Sequence, residues 1–356
     1  MKITSLTLKN FRNYASIKLS LSPGVNSIVG KNAQGKTNLV EAIYFTCIGK
    51  SFRTSREKEM IKFDEEDGYI SLIAENEIRQ KKIEVLLKKS QKKTVRMDSL
   101  PIRRIGDVIG EVPIVFFSPD EMRLVKDSPE ERRRFMNIDI SQTNRRYFFL
   151  LNRYEKILDN RNKLLKSIKD KNVVLETIDI WNRALADTAV VLNKARREFI
   201  EEIAPYAQKA NEFISGGEVL KISYDGVKED SADAYIKKLE KTFEKDFNLG
   251  YTSYGIHHDD INIYLNDVEV KSFGSQGQQR TAALAMKLAE LEYIKSKTGD
   301  YPVLILDDVF SELDSERRRR LLKFTSRCQT IITTTDIDNC AGKIIAVESG
   351  KMLDKE

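Results

Sequence analysis

The chain has 356 residues, of which 41% are hydrophobic, so it is long enough to bury a sizeable core in one large domain or two modest ones. This composition excludes collagen-like, disordered and small disulfide-stapled proteins. Sixty basic residues against 54 acidic ones leave a formal net charge of +6, which favours an acidic partner such as nucleic acid without proving one.

The cysteine count and the N-terminus both predict a soluble cytoplasmic protein. Cys47, Cys328 and Cys340 form neither an even set nor a metal-like spacing, as is typical of a reduced compartment. The first six residues alternate polar and apolar side chains and contain no apolar signal core. No stretch approaches the ~20 apolar residues that a bilayer span needs.

The first 117 residues predict strands on either side of one helix. Alternating apolar residues predict strands over 3–8 and 17–21, followed by a short buried strand, Val25–Val29. Helical periodicity begins near Asn38, and residues 69–97 predict two or three further strands. Val112–Phe117 predicts another strand.

A phosphate loop, Gly30–Thr37, separates the strand at Val25–Val29 from the helix. Its sequence GKNAQGKT fits G-x-x-x-x-G-K-[ST] at every fixed position. The glycines let successive N–H groups face a phosphate, and the helix adds the positive end of its dipole. In such loops the lysine, Lys36, bridges the β- and γ-phosphates of ATP and the hydroxyl of Thr37 holds Mg²⁺. The alternative, a glycine turn that caps an ordinary helix, is disfavoured by the strand and helix on its two sides. The predicted nucleotide-binding residues here are Gly30, Lys31, Asn32, Ala33, Gln34, Gly35, Lys36, Thr37 and Asn38.

A helical segment interrupts the strands. Residues 127–216 are nearly free of glycine and show two helical stripes, over 147–158 and 178–206. We predict three parts: residues 1–126 and 217–356 as the two halves of an ATPase domain, and residues 127–216 as an inserted helical lobe. Because a forty-residue helix would reach ~60 Å, we expect no long coiled-coil arm.

A second anion site is predicted after a hairpin of 261–265 and 268–270, joined at Asn266-Asp267. Ser275, Gln276, Gly277 and Gln278 precede a helix predicted for Thr281–Tyr293, and such residues at a helix start bind anions. Gly277 lies 30 residues before Asp307. A simple P-loop kinase or GTPase has no use for a second loop, whereas ABC ATPases use one, the signature loop, to contact ATP on the facing subunit. The alternative is an ordinary capped helix.

Two carboxylates end a predicted buried parallel strand, Pro302–Asp308. An unpaired acid is costly to bury, so a cation partner is expected. We predict that Asp307 positions Mg²⁺ and that Asp308, the candidate catalytic residue, faces the γ-phosphate and orients or activates water. The alternative, a strand-terminal turn, is disfavoured because the same chain contains a phosphate loop.

The phosphate loop, the second anion site and the carboxylate pair follow one another along the chain. This order of motifs resembles that of the ABC-type ATPases of DNA repair and chromosome maintenance, the class of Rad50 and the SMC proteins. Those proteins insert a very long coiled coil between the two halves. With only a short helical insert, this sequence resembles the RecF family along essentially its whole length. The implied fold is α/β, an ABC-type P-loop ATPase head with mixed β-sheets and an inserted helical lobe. The matching passages are Asn10–Tyr14, Gly30–Asn38, Gly49–Arg53, Arg132–Phe135, Asp259–Ile261, Gly274–Arg280 and Leu306–Asp314.

The resemblance implies a protein of recombinational and replication-gap repair. It implies that the chain binds ATP and Mg²⁺, hydrolyses ATP weakly, forms an ATP-dependent homodimer and binds duplex DNA near single-strand gaps. The implied partners are RecR, and RecO in the same pathway, leading to RecA loading. By the same resemblance Arg12 contacts the nucleotide near its adenine end, Ser275–Gln278 act in trans, and Ser311, Glu312, Leu313 and Asp314 form the D-loop at the dimer interface.

Some residues depart from the ABC pattern. Most ABC proteins have Glu at the position of Asp308, and the shorter side chain implies slower hydrolysis. The expected switch histidine is missing, and Thr335 is the candidate at that place. His257 and His258, beside two acids, resemble a set of metal ligands. Ligands so close in sequence rarely converge on one metal ion, so we prefer to interpret this segment as a polar connection that leads into the hairpin.

Two alternative functions were considered, and several basic runs are candidates for phosphate contacts. A P-loop kinase or transferase would leave the second anion site unexplained. A cytosolic ATPase subunit of a transporter is disfavoured by the helical insert and the missing histidine. Basic runs more often form solvated surfaces than phosphate contacts; they are Lys92-Lys93, Arg103-Arg104, Arg132–Arg134 and Arg317–Arg320.

Overall fold

The computed structural model describes residues 1–168, 170–336 and 340–353, without the side chains at 311, 312 and 324. The strands are β1 (Lys2–Phe11), β2 (Tyr14–Ser20), β3 (Val25–Val29), β4 (Asp67–Glu75), β5 (Gln80–Lys88), β6 (Thr94–Met97), β7 (Leu100–Ile102), β8 (Ile114–Phe117), β9 (Leu220–Asp225), β10 (Asp260–Leu265), β11 (Val268–Glu269), β12 (Val303–Asp307), β13 (Thr330–Thr334), β14 (Lys343–Glu348) and β15 (Lys351–Leu353). The α-helices are α1 (Lys36–Ile48), α2 (Arg123–Lys126), α3 (Pro129–Thr143), α4 (Arg145–Ser167), α5 (Lys171–Ser215), α6 (Ala232–Leu249), α7 (Val270–Phe273), α8 (Gln276–Thr298) and α9 (Ser315–Thr325).

The described residues divide into two compact units. Unit 1 contains Met1–Met122, Tyr206–Val219 and the described residues from Gln276 onward, and unit 2 contains Arg123–Pro205 and Leu220–Ser275. The predicted three-part division instead placed residues 217–356 together. The difference arises because β9 and β10 pair with each other and α3 contacts β10, so this stretch shares its contacts with the helices.

One sheet of unit 1 is antiparallel and is built from consecutive sequence. Its strand order is β2-β1-β4-β5-β6-β7. The alternation noted in the sequence places Leu6 and Leu8 of β1, and Leu19 of β2, inside the core, as a half-buried strand requires. The predicted strands in residues 3–21 and 69–97 are confirmed.

The second sheet of unit 1 brings distant parts of the sequence side by side. Its order is β15-β14-β3-β13-β12-β8, and β14, β3, β13, β12 and β8 are parallel. Every residue of β12 is buried, as is typical of a strand covered on both faces, so the predicted buried parallel strand is confirmed. Because β3 and β12 both pair with β13, their carboxyl ends meet at one edge of the sheet.

Unit 2 combines helices with the small antiparallel sheet β11-β10-β9. The predicted hairpin is confirmed: β10 pairs with β11, and Asn266 and Asp267 in the turn both have positive φ, the conformation that suits such residues in a two-residue hairpin turn.

Buried ion pairs hold the helices of unit 2 to each other and to the segment before β10. Arg196 donates to Asp259 over 2.6 Å and to the Tyr147 hydroxyl over 2.9 Å, and Arg196 and Asp259 are 2% and 1% exposed. Arg161 and Asp246, both fully buried, form a second pair at 2.9 Å. Removing one partner of such a pair leaves a buried charge and costs ~3–5 kcal/mol. The acidic residue beside the two histidines therefore binds an arginine.

Helix α5 is longer than the sequence analysis expected. It runs for 45 residues, about 67 Å at 1.5 Å per residue, and contains the second predicted stripe, while the first lies in α4. Pro205 lies inside α5, where proline usually breaks a helix, and no glycine interrupts the segment. Like the other described helices, α5 lacks the apolar stretch that a bilayer span requires.

The buried imidazole of His257 makes two hydrogen bonds, both of which its neutral form satisfies. Nε2 donates to the carbonyl of Thr252 (3.0 Å), so Nδ1 accepts from the hydroxyl of Tyr154 (2.7 Å). Burial lowers the pKa of His257 to about 4, and the neighbouring charges of His258, Arg133 and Arg161 act in the same direction.

We expect this histidine to make unit 2 less stable in acid. The unfolded chain binds a proton near pH 6.5 and the folded chain only near pH 4, so stability falls as the pH drops through this window, by an amount on the order of 3 kcal/mol. Urea unfolding midpoints at pH 7.5, 6 and 5 should show a shallower pH dependence for His257→Gln than for the parent. Parallel curves for the two proteins would contradict the assignment.

A candidate nucleotide-binding site

The phosphate loop joins β3 to α1 and needs glycine at both fixed positions. Gly35 has φ of 114°, and a Cβ there would lie 2.6 Å from Nδ2 of Asn13, so a side chain would be strained and would clash. A Cβ on Gly30 would lie 2.3 Å from the carbonyl oxygen of Val347. Helix α1 begins at Lys36, two residues earlier than predicted.

Two turns hold this loop from opposite ends of the sequence. The Tyr14 hydroxyl donates to the carbonyl of Gly35 (3.0 Å), and Asn13 Nδ2 donates to the carbonyl of Gln34 (3.0 Å). From the turn between β14 and β15, the Ser349 N–H donates to Gln34 Oε1 (2.6 Å) and the Gly350 N–H to the Gln34 carbonyl (3.2 Å). The loop is therefore fixed by its surroundings as well as by its own motif.

Lys36 lies inside the loop, with its ammonium group close to main-chain oxygens. Nζ donates to the carbonyls of Gly30 (2.6 Å) and Lys31 (3.0 Å). Burial lowers the pKa of Lys36, and the charges of Asp308 and Asp307 oppose that shift. The structure thus brings the predicted lysine and both predicted carboxylates within electrostatic range of one another.

The predicted magnesium ligands, Thr37 and Asp307, contact each other. The Thr37 hydroxyl donates to Asp307 Oδ1 (3.2 Å), and the Thr333 hydroxyl donates to the same oxygen (2.6 Å). Burial raises the pKa of Asp307, against the effect of these two hydrogen bonds. Such hard oxygen donors suit Mg²⁺, which proteins often bind through one or two carboxylates together with phosphate oxygens. No group of three His, Cys, Asp or Glu side chains arranged for a metal ion occurs in the described ranges, so a cation here would depend on phosphate oxygens.

Asp308, the candidate catalytic residue, has a left-handed backbone with φ of 54°, a conformation that Asp tolerates better than most residues. Its N–H donates to the Thr333 hydroxyl (2.9 Å). Thr333 therefore contacts both members of the carboxylate pair, whereas Thr335, our candidate for the switch position, is exposed beyond the end of β13. The sequence analysis missed Thr333 because nothing in its strand distinguishes it from three neighbouring threonines.

Arg12 is anchored to the helix that follows the phosphate loop. Its guanidinium donates to both carboxylate oxygens of Glu41 (2.8 and 2.6 Å) and to the Glu59 carbonyl (2.7 Å). Glu41 is fully buried and also accepts from the Ser51 hydroxyl (2.6 Å). Glu41 was not predicted, although it is the only charged residue of the segment NLVEAIYF. Asn38 accepts from Arg53 (2.7 Å) at the same end of α1.

The second predicted anion site lies at the start of α8. This helix begins at Gln276, five residues before the predicted start, so Gly277 and Gln278 lie in its first turn. Ser275 and Gln276 are exposed, and Gln278 Nε2 donates to Glu218 Oε1 (2.7 Å).

The predicted D-loop, Ser311–Asp314, begins in a 3-10 helix, Val309–Glu312, that follows Asp308. Asp314 caps α9 by accepting from the N–H of Arg317 (2.8 Å), and Leu313 is buried. The side chains of Ser311 and Glu312 lie outside the described part of the chain.

A family model and named relatives assign this chain to the same family. The family described as RecF/RecN/SMC N terminal domain matches residues 2–347. A protein named DNA replication and repair protein RecF from Clostridium perfringens (strain SM101 / Type A) is 43% identical over an alignment of 343 positions, and the match covers 95% of this chain and 94% of the relative. Its counterpart in Ruminiclostridium cellulolyticum is 40% identical over an alignment of 360 positions, and the match covers 98% of this chain and 96% of the relative.

Solved structures agree with that result. The structure titled recombination mediator protein RecF-ATP in the RecFOR pathway has a TM-score of 0.91 at 35% identity and covers 99% of this chain and 98% of its own. An Smc head domain from Pyrococcus furiosus has a TM-score of 0.58 at 19% identity, covering 98% and 94%, and this likeness supports the fold alone. The predicted α/β ATPase-head fold is confirmed, and these relatives support neither the kinase or transferase alternative nor the transporter alternative. The chain belongs to the RecF family, as the sequence motifs predicted.

Proposed function

We propose that this chain is an ATP-dependent DNA-binding protein of recombinational and replication-gap repair. One observation carries the proposal: Lys36, Thr37, Asp307 and Asp308 converge at the carboxyl edge of one parallel sheet, around the start of α1. Ligands of open α/β sheets bind at that edge. The names of the relatives, which speak of DNA replication and repair, support the same function.

The site residues have distinct proposed roles toward ATP. The backbone of residues 30–35 and Lys36 would bind the phosphates, and we assign Arg12, which contacts α1, and Asn38, which lies in the first turn of α1, to the remainder of the nucleotide. Thr37 and Asp307 would hold Mg²⁺, which when bound neutralises phosphate charge. Asp308 would orient or activate the water that attacks the γ-phosphate, so that the terminal P–O bond breaks and ADP and phosphate leave. The short side chain of Asp308 supports weak hydrolysis.

A second subunit would complete the site. Ser275 and Gln276 are exposed at the N-terminus of the 23-residue helix α8, where backbone N–H groups and the helix dipole favour an anion. We assign Ser275–Gln278 to the γ-phosphate of a facing subunit, and Ser311–Asp314 to the adjoining interface. ATP would then act as the contact that closes a homodimer.

The pathway assignment depends on the relatives. Titles of the solved structures name a recombination mediator and the RecFOR pathway. We propose RecR as the direct partner, RecO in the same pathway, RecA loading as the result, and the cytoplasm as the location.

The test of this function is ATP-dependent DNA binding. Two closed subunits would combine their positive charge on one duplex, and each neutralised phosphate releases about one counterion. We expect the slope of log affinity against log salt on a random duplex to steepen by several units when ATP is added. Little dependence on base sequence is expected, because phosphate contacts position a protein without reading bases. Equal slopes with and without ATP would contradict the role of dimer closure, and no binding under either condition would contradict the function.

A further inference from the structure

A strongly basic pocket lies in unit 1, away from the phosphate loop. It is bounded by the turn between β5 and β6 and by a 3-10 helix, Glu57–Met60, and has a volume of about 400 Å³. We call this cavity the basic pocket. Its basic lining residues are Arg56, Lys58, Lys88, Lys89, Lys92 and Lys93.

The lining of the basic pocket carries nearly as much net positive charge as the whole chain. Six basic residues and one acid, Glu57, give its lining a formal net charge of +5, compared with +6 for the whole chain. In the described part of the chain, Lys58, Lys88 and Lys92 are exposed and lie beyond ion-pair distance of any acid. Arg56 and Lys89 have only long contacts of 3.6 Å with Glu59 and Glu66.

Two other basic runs found in the sequence contain arginines that pair with nearby acids. Arg132 is buried and pairs with Asp260, and Arg134 pairs with Glu131 at 3.3 Å. On α9, Arg319 and Arg320 both bind Glu316, at 3.0 and 2.9 Å. These arginines make local contacts with acids, whereas Lys58, Lys88 and Lys92 pair with none in the described part of the chain, so the basic pocket is the better candidate for an anionic partner.

The lining also indicates the kind of anion. Small-molecule pockets are mostly apolar, whereas here Leu87 is the single apolar lining residue, and it is buried. Aromatic side chains, on which single-stranded bases stack, do not occur among the lining residues. Flexible lysines around an open cavity suit the phosphates of a duplex backbone.

The basic pocket is firmly joined to the ATP-binding part of unit 1. Lys93 Nζ donates to the carbonyl of Gly49 (2.9 Å), the residue that caps the C-terminus of α1. The 3-10 helix supplies the Glu59 carbonyl that accepts from Arg12. Elements that touch the candidate nucleotide site therefore also carry the lysines.

We propose that the basic pocket binds the phosphate backbone of duplex DNA, with Lys58, Lys88 and Lys92 as the principal contacts. This inference rests on the proposed function and names the surface that performs its DNA-binding step.

The experiment compares two triple variants that lose the same charge. One is Lys58→Gln/Lys88→Gln/Lys92→Gln. The matched control is Lys237→Gln/Lys241→Gln/Lys245→Gln, which changes three exposed lysines on α6. Binding to a labelled random duplex is measured with ATP over a salt series, and the thermal midpoint of each variant checks its fold.

Loss of three phosphate contacts should make the salt slope shallower by about 2 to 3 units and lower the affinity at 0.1 M salt by roughly 100-fold. The control should stay within threefold of the parent. A single Lys92→Glu, placed in a turn, should lower affinity at least about tenfold and serves if the triple variant does not fold.

Different failures separate the two proposals. A parent protein that does not bind duplex DNA overturns the proposed function. A parent that binds, with a pocket variant no weaker than the control, overturns only the pocket assignment. Duplex RNA and anionic lipid vesicles are tested at the same salt, and a preference of the parent for either, abolished in the pocket variant, would overturn DNA as the ligand.

Discussion

Lys36→Ala should lower ATP affinity by roughly 100-fold or more, because it removes the buried cation that would lie against two phosphate groups. Lys36 is 7% exposed, and the loop carbonyls already hold its ammonium group inside the site. Isothermal titration with ATP measures the effect directly.

Two comparison variants make this result specific. Lys18→Ala removes one exposed cation of β2 and should leave ATP affinity within about twofold. Asp308→Asn should retain ATP binding while turnover falls by roughly 100-fold, the size of effect expected for a group that activates water. ATP affinity of Lys36→Ala within threefold of the parent would contradict the phosphate-loop assignment. Equal loss of binding in both site variants would mean that their roles have been confused.

Ser275→Arg should abolish ATP-dependent dimerisation while the monomer still binds ATP. The substitution puts a bulky cation at the helix start that we assign to the phosphate of the facing subunit, so the two charges and the two volumes conflict. Ser296→Arg, the same change near the far end of α8, is the control and should dimerise normally. Light scattering with and without ATP distinguishes the two.

Mixing Ser275→Arg with Lys36→Ala is the sharper test of contacts in trans. In a hybrid dimer both defects fall in one composite site, and the other site has an intact phosphate loop and an intact signature. Hybrids with one working site should therefore form, although neither variant dimerises alone. Subunits of two sizes make the hybrid visible by gel filtration. Absence of hybrids at every ATP concentration would contradict the trans geometry.

Motifs predicted the chemistry of this chain better than they predicted its packing. The phosphate loop and the Asp307–Asp308 pair could be found from the sequence because phosphate binding demands particular residues at fixed spacing. Helix α5 could not be bounded in the same way, because the predicted stripe over 178–206 does not show how far the helix extends beyond its first and last apolar residues. The partners Glu41, Thr333 and Ser349 belong to common residue types whose roles depend on contacts distant in sequence.

The sequence could not predict that residues 220–275 belong to unit 2 either. It depends on the pairing of β9 with β10 and on the ion pair between Arg132 and Asp260, residues separated by 128 positions. The strand pattern predicted β10, but a pattern does not state which neighbour a strand will pair with. Likewise, the sequence analysis preferred a polar segment to a metal site beside the two histidines, but it could not identify Arg196 as the partner of Asp259.

The interleaved order of the parallel sheet determines when this protein can mature during synthesis. The antiparallel sheet is complete once Ile102 has emerged from the ribosome, whereas β3 ends at Val29 and its neighbours β13 and β14 begin only at Thr330 and Lys343. At ~5–20 residues per second, β3 waits roughly 15 to 60 s for a partner. Throughout that time an apolar strand and an unformed phosphate loop remain on the nascent chain, so nucleotide cannot assist folding until translation is nearly finished, and protection of β3 falls to chaperones.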